Sequence, residues 1–452
     1  MEKTSIHGMW SSRFAFILAA TGSAVGLGNI WRFPYMTSDN GGGAFVLVYL
    51  LCVAMVALPI LFAEIAIGRR GRRSPIHSLM DITREDGVSR GWVGIGWISI
   101  IAGVLILSFY SVVAGWTLHY SWLYVKQLFG GAAITDPGLV FAELLSHPFE
   151  LTFWHAVFMV LTMGVVALGV EQGLERAVKF LMPALFIMLL LLVAYGATTG
   201  HLGAAASFLF NPDWSKIDGG VFLRAMGQAF FSLSLGMCTM MTYGAYLPRD
   251  VSVPRVGATV ALADTGIALL AGLAIFPIVI GFGMAPTGGG AGLIFTSLPL
   301  AFNSIPFGVV YGLIFFLLLA FAAWTSSISL LEPATAFLVE RGVSRKTAAL
   351  SMAAFCWGLG LLSVLGFNHW SHVKILGRDI MSFIELIAND LMLPLGGLLI
   401  ALFAGWFISG ERMREQLHGL PAPLFTLWRW LVRVVAPVLV AVVLVRVKLV
   451  AA

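Results

Sequence analysis

Eleven runs of predominantly apolar residues, near 12–37, 42–68, 91–125, 153–170, 176–198, 219–247, 256–283, 306–339, 344–366, 377–408 and 424–447, follow one another along this chain. A helix of about 20 such residues crosses a bilayer core. In lipid every backbone N–H and C=O must be satisfied within the protein, which a helix achieves by itself. The sequence therefore predicts an all-α polytopic membrane protein with about 11 transmembrane helices. Charged residues make up 11% of the 452, against about a quarter in soluble domains. The longest hydrophilic stretch, of roughly twenty residues after span 2, is far below domain size. A single transmembrane domain over 1–452 is expected.

The net charge of +5 reflects where the arginines sit and is no nucleic-acid signature. Arg69, Arg70, Arg72 and Arg73, then Arg176 and Lys179, Arg249 and Arg255, Arg341, Arg345 and Lys346, and Arg412 and Arg414 all follow even-numbered spans. The positive-inside rule then predicts a cytoplasmic N-terminus and an external C-terminus. Lys374, Arg378, Arg446 and Lys448 run against it and are outnumbered. Cys52, Cys238 and Cys356 lie in apolar spans and suggest neither a disulfide framework nor a metal site. The N-terminal stretch lacks a small-residue cleavage site, so the first run is read as a real span.

Two spans carry interruptions that a plain membrane helix would avoid. Span 1 contains "TGSAVGLGNIWRFPY", with an expected break at Gly22–Asn29, and span 6 contains "SLSLGMCTMMTY", with an expected break at Ser232–Tyr243. First and sixth are corresponding positions in two five-helix halves, 12–198 and 219–408, followed by an extra helix, 424–447. Interrupted helices in corresponding halves point to a transporter binding site, because freed backbone groups can hold an ion and an anionic substrate. Close helix packing is the other use of such glycines. Segment 285–305 reads as a re-entrant or capping loop.

"SAVGLGNIWRFPY" with "NGGGAF", "GQAFFSLSLGM", "LADTGIALLAGLAIFP" and "AAWTSSISLLEP" resemble motifs of the neurotransmitter:sodium symporter family, over nearly the whole chain. The resemblance implies an inverted five-plus-five repeat with helices 1 and 6 broken, alternating access, and sodium-driven uptake of amino acids or amines. It also implies a place in the bacterial inner (plasma) membrane, as for eleven-helix bacterial amino-acid members.

The resemblance implies two sodium sites. The first uses the Ala24 carbonyl, Asn29, Ser232 and Asp264, with the substrate carboxylate completing it. The second uses the carbonyls of Gly22, Val25 and Ala322 and the hydroxyls of Thr325 and Ser326; taken alone, "TSS" could instead bond back to its own helix. Asp264, a carboxylate at mid-membrane, is a functional candidate by default. Chloride-dependent relatives have a neutral residue there, so with Tyr49, Gln228 and Ser232 around it Asp264 supplies the negative charge, and no chloride requirement is expected.

The implied pocket holds the substrate carboxylate on sodium, the N–H groups of Leu27 and Gly28, and Tyr110. The ammonium meets carbonyls at Phe231 and Ser234. Gly26 stands where amine-transporting relatives carry aspartate, so the substrate should bring its own carboxylate. Ile106, Phe231, Met237, Ser326 and Leu330 form an apolar wall, which suits apolar or aromatic amino acids.

For gates, Arg32 pairs with Glu385 on the outside. Inside, Glu340 is the family's acid, but its arginine partner is replaced by His7, so that His7 serves when protonated, the inner gate is weaker, or Lys3 substitutes; Trp10 packs as a plug. Glu332 anchors an inner network with Tyr243 and Tyr246, and Glu64 is structural. Gly173 and Pro183 flank nine residues in span 5, a Gly-X9-Pro element whose unwinding lets water reach the second sodium.

Two ions moving down 100 mV and a tenfold gradient supply about 7 kcal/mol, enough for roughly 10⁵-fold accumulation of a zwitterion. The chain contains no nucleotide-binding loop or hydrolase motif, so no enzyme is expected. The alternatives are a sodium-coupled importer of a small amine or osmolyte, and a non-transporting amino-acid sensor. A monomer is favoured.

Overall fold

The computed structural model describes residues 6–282 and 290–451. Lys3 and residues 285–289 of the segment expected to re-enter lie outside them. Among the described residues, nine continuous helices are long and apolar enough to cross a membrane, and a bent pair makes ten. They are Gly43–Gly71, Arg90–Leu128, Pro148–Ala167, Val170–Thr198, Val253–Gly281, Gly308–Glu340, Arg345–Gly366, Ile380–Phe407 and Ala422–Val445, with Arg13–Ala24 and Gly28–Asp39 as the pair. Span 6 completes the eleven as two short helices, Gly219–Ser232 and Thr239–Ala245.

Both breaks are narrower than expected. Span 1 stays helical through Gly22 and Ala24, with Val25 leaving the helix at ψ 106, and resumes at Gly28 with a bend of 52°. Span 6 unwinds over Leu233–Cys238, where Ser234 and Cys238 adopt positive φ of 54° and 56°. Non-glycine residues rarely do so, and such conformations persist where the surroundings fix them. Glu64 of span 2 is one such fixture, since its Oε1 accepts the Gly236 N–H at 2.7 Å.

Burial sorts the helices. The apolar core of span 3 is 83% buried, whereas those of spans 4, 5 and 11 are 33% buried. Span 3 packs most extensively against span 8. The outward faces of spans 4 and 5 expose Phe153, Val160, Phe180, Ile187 and Leu191, as expected of a lipid-facing surface. The broken helices therefore lie at the protein's centre. Of the segment expected to re-enter, residues 293–303 form a short apolar helical piece.

Candidate functional site

The break in span 1 faces the break in span 6 and the middle of spans 3 and 8. Ser23, Ala24, Gly26, Gly28, Ile106, Tyr110, Phe231, Ser234, Met237, Ser326 and Leu330 line one cavity. All but Ser23 are among the residues expected from sequence. Leu27 instead lines the wider space above, although its N–H donates to the Tyr110 hydroxyl at 3.2 Å. Ser232 turns away from the cavity towards Asp264.

Ser23 ties the two breaks together. Its carbonyl accepts the Ser234 hydroxyl at 2.9 Å and the Ser326 hydroxyl at 3.3 Å, and its own hydroxyl donates to Ser329 at 2.9 Å. Nothing in the local sequence marks it, because its partners lie more than two hundred residues away.

Asp264 sits fully buried on span 7 among four polar side chains. Its Oδ1 accepts the Asn29 Nδ2 at 2.7 Å and its Oδ2 accepts the Ser232 hydroxyl at 2.6 Å. Tyr49 reaches Ser232 at 3.5 Å, and Gln228 Nε2 donates to the Gly28 carbonyl at 2.9 Å. With the Asn29 amide nitrogen anchored on Asp264, its Oδ1 points to the span 1 break, 3.2 Å from the Gly26 N–H. Ala24 is the last helical residue before that break. One formal negative charge among neutral oxygens suits a hard monovalent cation.

On the other side of span 1, the Ser326 hydroxyl reaches the Val25 carbonyl at 3.2 Å. The Thr325 hydroxyl lies 3.5 Å from Val25 O, but also 3.0 Å from Ala322 O and 3.2 Å from Phe321 O. Bonding back to the helix and reaching across to span 1 thus coexist at Thr325. Gly22 packs against Thr325, for a Cβ there would stand 3.4 Å from Thr325 Cβ and 3.1 Å from the sulfur of Met182. These oxygens carry no formal charge, which again fits a singly charged ion.

The cavity itself holds only about 20 Å³, roughly one water. Above it, towards the end of the bundle opposite the N-terminal segment, a vestibule of about 430 Å³ is lined by Trp31, Arg32, Tyr35, Phe109, Trp116, Asp379 and Glu385. Tyr110 and Phe231 line both and form the partition. The Arg32 guanidinium lies 4.8 Å over the Phe231 ring. Arg32 and Glu385 share this vestibule but form no ion pair with each other. Burial alone would raise the pKa of the Asp379 carboxyl, but backbone and side-chain bonds from Ser382 outweigh it and hold the group below its ordinary range.

The opposite end is sealed. Trp10 is 2% exposed, donates to the Tyr243 carbonyl at 3.1 Å and packs on the rings of Phe16, Tyr243 and Tyr246. His7 does meet Glu340, at 2.9 Å. Glu332 binds the Tyr246 hydroxyl at 2.8 Å, but Tyr243, expected beside it, instead contributes its ring and carbonyl to Trp10. The cation on Glu332 is Arg345, at 2.5 and 3.1 Å, which the sequence marks only as a loop charge. Span 5 is wound throughout. Gly173 lies in a π-helical turn where a Cβ would collide with the Val165 carbonyl, and Pro183 sits inside the continuing helix. Between them Glu175 accepts the Ser11 N–H at 3.0 Å and the Lys179 ammonium at 2.6 Å, another tie that sequence did not reveal.

Comparison with known proteins gives this arrangement a family. The family model described as the sodium:neurotransmitter symporter family matches residues 7–129 and 139–451. Over 439 residues the chain is 36% identical to an uncharacterized sodium-dependent transporter of Bacillus subtilis, YhdH, covering 96% of both chains. It is 27% identical over 414 residues to a bovine sodium- and chloride-dependent taurine transporter, covering 78% of this chain and 65% of that one. A crystal structure of MhsT in complex with L-phenylalanine superposes with a TM-score of 0.89 at 41% identity, covering 97% of this chain and 99% of the other. With both helices broken at one buried cavity and a match over nearly its whole length, the chain belongs to the sodium:neurotransmitter symporter family, and is a sodium-coupled, multi-pass membrane transporter and not an enzyme.

Proposed function

We propose that the protein imports apolar or aromatic amino acids together with sodium by alternating access, without a chloride requirement. The observation that carries this reading is the shared cavity between the two helix breaks. Tyr110 and Ser326 offer hydroxyls at its span 1 side, while Ile106, Met237, Leu330 and Phe231 form an apolar wall. The similarity to MhsT, solved with L-phenylalanine, supports this substrate class. Because the closed cavity has room for about one water, substrate entry requires the Phe231–Tyr110 partition to move. Arg32 and Glu385 then close over it, while His7, Glu340 and Trp10 seal the cytoplasmic end. The first sodium is held by Ala24, Asn29, Ser232 and Asp264, and the second by Gly22, Val25, Ala322, Thr325 and Ser326. Return to the cytoplasm follows unwinding of the Gly173–Pro183 segment. The N-terminus is cytoplasmic, the C-terminus external, the membrane a bacterial inner membrane, and the unit a monomer.

The reading is tested by thermal stability of the purified protein with each of the twenty amino acids, in sodium and in potassium. A ligand at a hundred times its Kd stabilises by about 2.7 kcal/mol. Leucine, methionine, phenylalanine, tyrosine or tryptophan are expected to stabilise in sodium only. Sodium stabilisation to which no amino acid adds would redirect the search to taurine-like osmolytes and amines. Binding without accumulation in proteoliposomes would identify a sensor.

The second ion site has its own test. The double substitution of Thr325→Ala and Ser326→Ala removes two hydroxyls worth about 0.5–1.5 kcal/mol each. Half-maximal sodium should rise about five- to 150-fold. An unaltered sodium titration excludes this site.

A further inference from the structure

Glu340 ends span 8 with its side chain fully buried, and two imidazoles converge on it. His7 Nε2 lies 2.9 Å from Oε1, and His77 Nδ1 is in close contact with Oε2. The His7 and His77 side chains are 1% and 14% exposed. Ser74 completes the cluster, donating its N–H to Oε1 and its hydroxyl to Oε2, each at 2.6 Å. Three separate elements are thereby clasped: the N-terminal segment, the helix Pro75–Asp86 after span 2, and span 8.

Among the described residues, the other charged groups near the cluster are each engaged by a further partner. Arg73 stands 3.8 Å from Oε2, but it is 38% exposed and shared with Asp81 at 3.4 Å. The Tyr246 ring lies 5.7 Å from His7, and its hydroxyl is held by Glu332, which Arg345 neutralises. Phe337 stacks under His77 at 5.4 Å, with Arg341 over the same Phe337 ring at 4.9 Å. A guanidinium keeps its charge at every physiological pH, whereas an imidazole titrates within that range. A protonated imidazole on a carboxylate makes a charge-assisted bond about twice as strong as a neutral one. A group that binds its proton more tightly in one arrangement favours that arrangement at low pH and releases it as pH rises.

We propose that His7 and His77 form a proton-dependent clasp on Glu340, so that cytoplasmic acidification holds this end closed and slows delivery of substrate into the cell. The inference rests on the alternating-access reading, in which His7 leaves Glu340 when the cytoplasmic end opens.

The test uses full-length protein in nanodiscs with spin labels at Ile6 and Lys346, both exposed, one beside His7 and the other at the start of the helix that follows span 8. In potassium, the closed-to-open ratio should rise about three- to tenfold between pH 8 and pH 5.5. His7→Arg should flatten that dependence, and His77→Gln should weaken it while His7 remains. An unchanged pH dependence in His7→Arg, or none in the parent protein, overturns the clasp. Sodium at fixed pH provides the separate control. A distance that shifts with sodium but not with pH sinks the clasp alone, whereas one that ignores sodium at every pH sinks the alternating-access reading beneath it.

Discussion

Asp264→Asn lowers sodium-coupled uptake in chloride-free buffer by about ten- to a hundredfold, and chloride restores part of it. The substitution keeps the side chain's size and removes its charge. Asn29 at 2.7 Å and Ser232 at 2.6 Å both donate to this carboxylate in a fully buried setting. Hydrogen bonds to charged groups contribute about 1.5–3 kcal/mol, which is one to two decades of affinity. A sodium ion beside a neutral amide at this position would have no compensating charge in the cluster. Tyr49, Gln228 and Ser232 remain, with hydroxyl and amide donors suited to an anion that could replace it. Uptake is measured in proteoliposomes with gluconate or chloride on both sides. Wild-type rates, blind to chloride, would show that Asp264 does not carry the ion's countercharge.

The architecture was legible because lipid allows few solutions. Long apolar runs had to be helices, and the span boundaries agree to within a few residues, apart from spans 4 and 5, which start earlier, at Pro148 and Val170. The broken helices were legible because glycine, asparagine and arginine are costly inside such runs. Their limits were not, since helical hydrogen bonding carries Gly22–Ala24 and resumes at Thr239. The residues placed around the cavity came mostly from resemblance; counting Ala24 and Ser232, which sit between substrate and first sodium, ten of the twelve line it, Leu27 and Ser232 being the two that do not. Ser23, Arg345, Glu175 and His77 could not be found that way. Ser23, Glu175 and His77 act through partners far along the chain, which no local pattern encodes, whereas Arg345 meets Glu332 across the short turn between spans 8 and 9. His7 is the instructive case. The sequence showed a departure from the family's arginine, but only the fold brought a second imidazole to the same carboxylate.

Gly26→Asp should weaken leucine and phenylalanine binding by more than about a hundredfold, and raise the relative affinity for phenethylamine. The backbone at Gly26 is not in a glycine-only conformation; what requires glycine is space. A Cβ there would collide with the Ser326 hydroxyl oxygen and stand 2.8 Å from the Tyr110 oxygen. Both atoms belong to side-chain ends that can turn, so Gly26→Ala should fold and bind more weakly, at the expense of the Ser326 bond to Val25. Aspartate adds a carboxylate where the substrate's own is proposed to lie. Two like charges in one dry site repel strongly, whereas an amine without a carboxylate gains the partner it lacks. The ratio of phenylalanine to phenethylamine affinity, read for Gly26→Ala and Gly26→Asp, therefore separates crowding from charge. Crowding alone lowers both ligands together in both variants. Charge inverts the ratio in the aspartate variant only. Normal leucine binding to Gly26→Asp would place the substrate somewhere other than between the two broken helices.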